Sequence, residues 1–121
     1  IDYGYSKKKM FNTLQSVKNH KRADFLSNLY KCDITHLINF NLFKKKLKKN
    51  NINFIKQTSQ RDFLLKMGII ERAEIISKNL PLSSKIDIHF RIKRLIDKKQ
   101  MGSLFQVLFA TNKSNVFSLG F

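Results

Sequence analysis

Apolar and polar positions divide the chain into segments of different period. Ile1 to Tyr5 reads as the tail of a buried strand that breaks at Gly4, where the missing Cβ lets the backbone turn. From Lys7 to Leu29 the period is ambiguous: Met10, Leu14 and Val17 have helical spacing, but the segment is polar and has no good cap. Asp33-Ile34-Thr35 then offers a helix start, because Asp33 or Thr35 can accept the orphan amide hydrogens of a first turn. Phe40, Phe43 and Leu47 follow at i, i+3 and i+7, which turns one stripe to a core and leaves the intervening lysines in water. Asn50-Asn51 predicts the end of that helix, since Asn tolerates the left-handed conformation that closes helices.

Ile52 to Lys56 alternates over a short run and predicts a strand after a tight turn. Thr58 and Ser59 are cap candidates for the next helix, with Asp62 in its first turn, where a negative charge suits the macrodipole. Phe63, Met67, Ile70, Ala73 and Ile76 carry an apolar stripe toward Asn79, and Gly68 marks a bend within it. Pro81 stops simple continuation, and Ser83-Ser84 predicts the cap of another helix with Ile88, Ile92, Leu95 and Ile96 on one face. Leu104 to Ala110 is apolar on both alternating faces, so it predicts a strand covered on both sides by helical layers. The order strand, helix, strand, helices, strand is an α/β pattern. Without a repeat or a Pro/Gly linker no second domain boundary is expected, and residues 1–121 read as a portion of a single domain. Three strands are too few to bury Leu104–Ala110 and four helices, so further strands are expected upstream of Ile1.

Charge adds a second candidate. The 24 Lys+Arg against 8 Asp+Glu give a formal net charge of +16, an electrostatic footprint seen in nucleic-acid-binding chains. Lys dominates at 19 against 5 Arg, however, and is spread from Lys7 to Lys113. With 11 Asn and 13 Ile alongside, much of the excess reads as compositional drift of an A/T-rich coding sequence. The clusters Lys7-Lys8-Lys9 and Lys44-Lys45-Lys46 with Lys48-Lys49 read as solvated faces. They still predict salt-sensitive, sequence-blind adhesion to polyanions. A lone Cys32 excludes a disulfide framework, and His20, His36 and His89 are too scattered for a metal site. No apolar run approaches the roughly 18 residues needed to span a bilayer, and the N-terminus does not read as a signal peptide.

Classical site motifs are missing from the pattern. The four glycines stand apart, so there is no phosphate or dinucleotide loop, and no serine elbow occurs. Paired acid/base chemistry would have to draw Asp2, Asp24, Asp33 or Asp62 from separate segments. Asp2-Tyr3-Gly4 follows the carboxyl end of a strand, where open α/β sheets bind ligands, and Asp33 and Thr35 could meet the same edge. From the residues alone, turn chemistry and capping are the favoured explanation of them.

The series "IDYGY", "TLQSVKNHK", "CDITHLINF", "TSQRDFLLKMGIIERAE" and "KKQMGSLFQVLFAT" resembles the C-terminal half of the MidA-like S-adenosylmethionine-dependent methyltransferases, in order and over essentially the whole chain. Mitochondrial members methylate an arginine on a subunit of the respiratory NADH dehydrogenase and help that complex assemble. The resemblance implies a class I, Rossmann-like fold in which Ile1–Tyr5 ends the fifth strand, Ile52–Lys56 is the sixth and Leu104–Ala110 the antiparallel seventh. The helical stretch between the last two would be a family insertion. Asp2, Tyr3 and Gly4 match the strand-end motif beside the cavity where donor and acceptor meet, and His20 matches the histidine after "TL". Asp33, Thr35 and Phe40 match the "D-[IL]-T" segment, while Gln60, Phe63, Leu64, Gly68 and Arg72 match the "Q..FL...GI..R" helix. Lys31-Cys32, His36, Asn39 and Gln15 depart from the family's usual residues.

Under this resemblance the cofactor is S-adenosyl-L-methionine, bound mainly by a preceding half that holds the Gly-rich loop, the acidic ribose ligand and the catalytic "NE…DA.P" motif. This stretch alone is then expected to be inactive. Asp2, Asp33 and His20 are candidates for acceptor contacts, and Gln60 for organising its helix. The partner implied is a protein substrate, in the bacterial cytoplasm or the mitochondrial matrix. Two rivals stand beside it: a basic nucleic-acid-binding module, and an assembly factor acting by contact alone.

Overall fold

The computed structural model describes residues 1–7, 12–24, 26, 30–113 and 119–121. Seven strands and five helices follow in the order β1 (Asp2–Tyr5), β2 (Gln15–Lys18), β3 (Lys21–Ala23), β4 (Asp33–Thr35), β5 (Ile38–Asn39), α1 (Phe40–Lys49), β6 (Phe54–Ser59), α2 (Gln60–Lys66), α3 (Ile69–Ser77), α4 (Leu82–Ile96), α5 (Met101–Leu104) and β7 (Phe105–Thr111). They form a four-stranded sheet, β5-β1-β7-β6, and a three-stranded one, β3-β2-β4. β7 runs antiparallel to both its neighbours, so β1 and β6 are parallel across it. This is the α/β arrangement expected, with the antiparallel strand held between parallel ones.

Local chemistry explains most helix limits. Asn39 caps α1 by accepting from the Leu42 N–H at 3.1 Å, and the helix closes at Asn50 with Asn51 at φ 62°. Ser59 accepts from the Asp62 N–H at 3.0 Å and donates its hydroxyl to that carboxylate at 2.7 Å, a reciprocal cap on α2. Gly68, at φ 77°, separates α2 from α3 as the sequence predicts.

Four expectations are corrected. Gly4 does not break β1 but sits within it, paired in parallel with Ile38. A Cβ there would fall 2.6 Å from the Phe40 ring, so glycine is required by close packing and not by a turn. Asp33 and Thr35 do not cap a helix: they pair with Val17 and Gln15 of β2, and the tertiary partner overrides their capping tendency. The ambiguous 7–29 stretch contains a hairpin, β2–β3, turning on Asn19 and His20 at φ 51° and 61°. Met10 lies outside the described residues. Ser83 and Ser84 fall inside α4, whose cap position is Pro81 with no side-chain cap bond.

The core is thin. Among the described residues only Phe40 and Val107 are buried apolar side chains, joined by the polar Ser16 and Gln60. β7 is one of the two inner strands of its sheet, yet residues on either side of Val107 are only half-buried. The accessible surface is 9613 Å², whereas a compact monomer of 14.3 kDa exposes roughly 6800 Å². Among the described residues no helix is long and apolar enough to cross a membrane.

Candidate functional site

Alternation along β1 places Tyr3 and Tyr5 on one face. Tyr3 meets Phe105 of β7 edge to face, with ring centroids 5.6 Å apart. Above the tyrosines, residues 12–15 and 36–38 come together: Thr13 Oγ1 accepts from the Leu37 N–H at 3.0 Å. The gap beneath this clasp holds two adjoining hollows, each about 560 Å³, which share Asn12, Thr13 and Leu37. Tyr3, Gln15, Leu104 and Phe105 close the upper one. Tyr5, His36 and Phe43 contribute to the lower one. Asn39 donates to the Tyr5 hydroxyl at 3.4 Å, and so ties the lower ring to the cap of α1.

Behind the tyrosines a polar chain crosses the sheet. Gln57 of β6 donates to Ser6 Oγ at 2.9 Å and to Gln106 Oε1 at 3.1 Å, and Gln106 donates to the Ser103 carbonyl at 3.0 Å. These bonds fix the chain leaving β1 against β6 and β7.

The seven site residues expected from the sequence do not converge. Tyr3 lines the upper hollow. Gly4, beneath it, makes the close approach to Phe40 and Ile38. Thr35, half-buried, is the direct partner of Gln15 and so borders the hollow from β4. Asp2 is exposed and accepts the N–H of Tyr3 at 2.8 Å. Asp33 lies further along β4 opposite Val17, and His20 sits exposed in the hairpin turn beyond it. Gln60 is 6% exposed and donates to the Leu95 carbonyl at 2.9 Å, which anchors α2 to α4 away from the hollows. Tyr5, Thr13 and Leu37 are not among the candidates the sequence offers. The i, i+2 spacing from Tyr3 could have found Tyr5; nothing local marks the other two.

Chemically the upper hollow is aromatic and neutral-polar, with the Tyr3 and Phe105 rings, a threonine hydroxyl and a glutamine amide. The lower one adds the Tyr5 phenol, the His36 imidazole and the Lys46 ammonium, and neither hollow has a carboxylate. Ring faces of this kind attract a planar or quaternary cation. Among the described residues no group of three or more His, Cys, Asp or Glu could hold a metal ion.

Residues 1–58, which include β1 and the lining of the lower hollow but not Leu104 and Phe105 of the upper one, match the profile of a family described as "Putative S-adenosyl-L-methionine-dependent methyltransferase". The fold matches crystal structures of one superfamily from Burkholderia thailandensis. The first, an uncharacterised superfamily protein, superposes with a TM-score of 0.84 at 22% identity, over 98% of this chain and 33% of that one. The second, bound to S-adenosyl-homocysteine, gives a TM-score of 0.78 at 22% identity, over 98% and 32%. The chain therefore spans about a third of the length of the solved chains it matches, and shares their fold.

Proposed function

We propose that these residues are the trailing, acceptor-side part of a class I methyltransferase using S-adenosyl-L-methionine. The observation that carries this is the family match over residues 1–58, because it covers β1 and the residues 12–15 and 36–38 that meet over it. The parallel β1 and β6 flanking an antiparallel β7 support it. The chain has no glycine-rich loop to cradle the donor, so donor recognition falls to residues other than these.

When bound, S-adenosyl-L-methionine supplies an electrophilic methyl carbon. This chain's residues act on the acceptor. Tyr3 holds a cationic group against its ring in the upper hollow, beside the clasp of Thr13 and Leu37. Orientation of this sort supports an in-line displacement, in which near-attack alignment lowers the barrier. The resemblance in residues 1–5 and 33–40 extends the reading to a protein arginine acceptor, and to a role in assembling a respiratory complex. A guanidinium suits the Tyr3 ring in the upper hollow, whose lining carries no cation. That hollow opens to solvent, which takes the proton released as the methyl arrives.

Calorimetric titration of the complete protein carrying this chain tests the reading. One-site binding of S-adenosyl-L-methionine is expected, with transfer of a methyl group to arginine peptides read by mass spectrometry. Tyr3→Ala should leave donor affinity unchanged and lower kcat/KM about tenfold, the scale of one lost cation–π contact. No binding heat and no thermal shift would remove the enzyme reading. A second reading, polyanion binding, draws on α1, which carries five lysines and no acidic residue. Discrimination between nucleic-acid sequences or structures would favour it.

A further inference from the structure

One amide ties both walls of the upper hollow from the far face of the sheet. Tyr3 pairs with Phe105 and Asp2 with Gln106. On β6, Ser59 pairs with Gln106 and Gln57 with Leu108. Side chains alternate along a strand, so Gln57 and Gln106 share the face opposite Tyr3 and Phe105. The Gln57 amide nitrogen carries two N–H groups, and both are engaged, with Ser6 Oγ at 2.9 Å and with Gln106 Oε1 at 3.1 Å. Ser6 follows β1, the strand that carries Tyr3, and its carbonyl is held from α1 by the Asn41 amide. Gln106 donates onward to the Ser103 carbonyl at 3.0 Å. That bond closes the 103–106 corner, which places Leu104 and Phe105 in the lining of the upper hollow.

We propose that Gln57 is a positioning residue: it touches no acceptor, and by holding Ser6 and Gln106 together it sets the distance and angle between Tyr3 and the Leu104–Phe105 wall. The inference rests on the reading of the upper hollow as the acceptor's place. The direction of the hydrogen bonds makes the amide necessary, and not merely a side chain of its length. A carboxylate at position 57 has no N–H to give. Gln106 would have to turn its amide to donate to it, and its oxygen would then face the Ser103 carbonyl, acceptor against acceptor. The corner would loosen, and the edge-to-face pair of Tyr3 and Phe105, 5.6 Å between centroids, would open with it. Both glutamines are half-buried, so water compensates the broken chain less than it would at an open surface. Changing Gln106 to Lys as well restores the order. An ammonium donates to both the new carboxylate and the Ser103 carbonyl, while the Ser6 hydroxyl donates to the carboxylate.

Two readouts on the complete protein carrying this chain test the role. The first is fluorine NMR with Tyr3 labelled as fluorotyrosine. Gln57→Glu should shift or broaden that resonance, and the pair Gln57→Glu with Gln106→Lys should return it toward the parent's. The second is turnover of an arginine peptide per donor-binding site, the sites being counted by calorimetry with S-adenosyl-L-methionine. Gln57→Glu should lower kcat about tenfold with donor affinity unchanged, because a misplaced wall spoils the reacting geometry. The paired change should recover most of that loss. A merely structural role would lower Tm or the number of donor-binding sites, and leave kcat per site and the fluorine resonance as in the parent. That outcome overturns the proposal, as does a paired variant no better than Gln57→Glu in both readouts. If the parent methylates no arginine peptide, the acceptor reading fails by itself, and the fluorine resonance alone decides whether Gln57 sets the hollow.

Discussion

Gly4 shows how much one missing Cβ can determine. Alanine there would place its methyl 2.6 Å from the Phe40 ring and nearer still to the Ile38 carbonyl. Phe40 is 3% exposed and has nowhere to swing, and moving the backbone would break the Gly4–Ile38 pairing. Gly4→Ala should therefore destabilise the protein by about 1–3 kcal/mol in urea unfolding, the range for overpacking a filled site. Phe40→Leu makes room for that methyl, so the double variant should lose measurably less than the sum of the two single losses. Additive losses would mean that the strain lies elsewhere. The candidate site is legible at this scale only in part. Tyr3 stands out in the strand-end motif, and Tyr5 follows from alternation. Thr13 reaches Leu37 across 24 positions of sequence, and no local pattern encodes such a contact. Gln60 likewise looks like a first-turn residue, but its amide serves a carbonyl 35 residues away.

Elements whose limits are set by local chemistry are legible in the sequence, and those set by a distant strand are not. Ser59 and Ser83 make the contrast testable. Both have the sequence context of a helix cap, but only Ser59 accepts a first-turn N–H, whereas Ser83 lies within α4 with no side-chain cap bond at that helix's start. Ser59→Ala should cost about 1 kcal/mol, and Ser83→Ala should stay within roughly 0.5 kcal/mol of the parent. Equal effects in chemical denaturation would contradict the assigned caps. Asp33 and Thr35 fail as caps because β2 pairs with them. That pairing needs the β2–β3 hairpin, whose turn on Asn19 and His20 lacks the glycine that usually announces a mirror-image turn. Short, polar strands carry little hydrophobic alternation, so nothing local in these segments announces their sheet. β7 is the opposite case, an apolar run readable as a strand whatever pairs with it.

At the scale of the whole molecule, surface is the deciding quantity. The chain exposes 9613 Å², about 40% above what its mass gives for a compact monomer, and only Phe40 and Val107 are buried apolar residues among those described. Conformational entropy opposes folding at roughly 1 kcal/mol or more per ordered residue, and a core this thin offsets little of it. The α/β pattern of the sequence implies the same shortage, since a strand apolar on both faces calls for cover on both sides. The 121 residues alone should therefore unfold broadly in urea, with an m-value below about 1 kcal/mol/M, under the range of small cooperative domains. They should also bind a hydrophobic dye, as loosely packed states do. The complete protein should unfold sharply and exclude the dye. A steep two-state transition of the 121 residues by themselves, coincident by fluorescence and circular dichroism, would show that the sheet needs no further cover. The hollow beside Tyr3, proposed to take the acceptor, would then have to function without a neighbouring donor half, and the methyltransferase proposal would lose its physical basis.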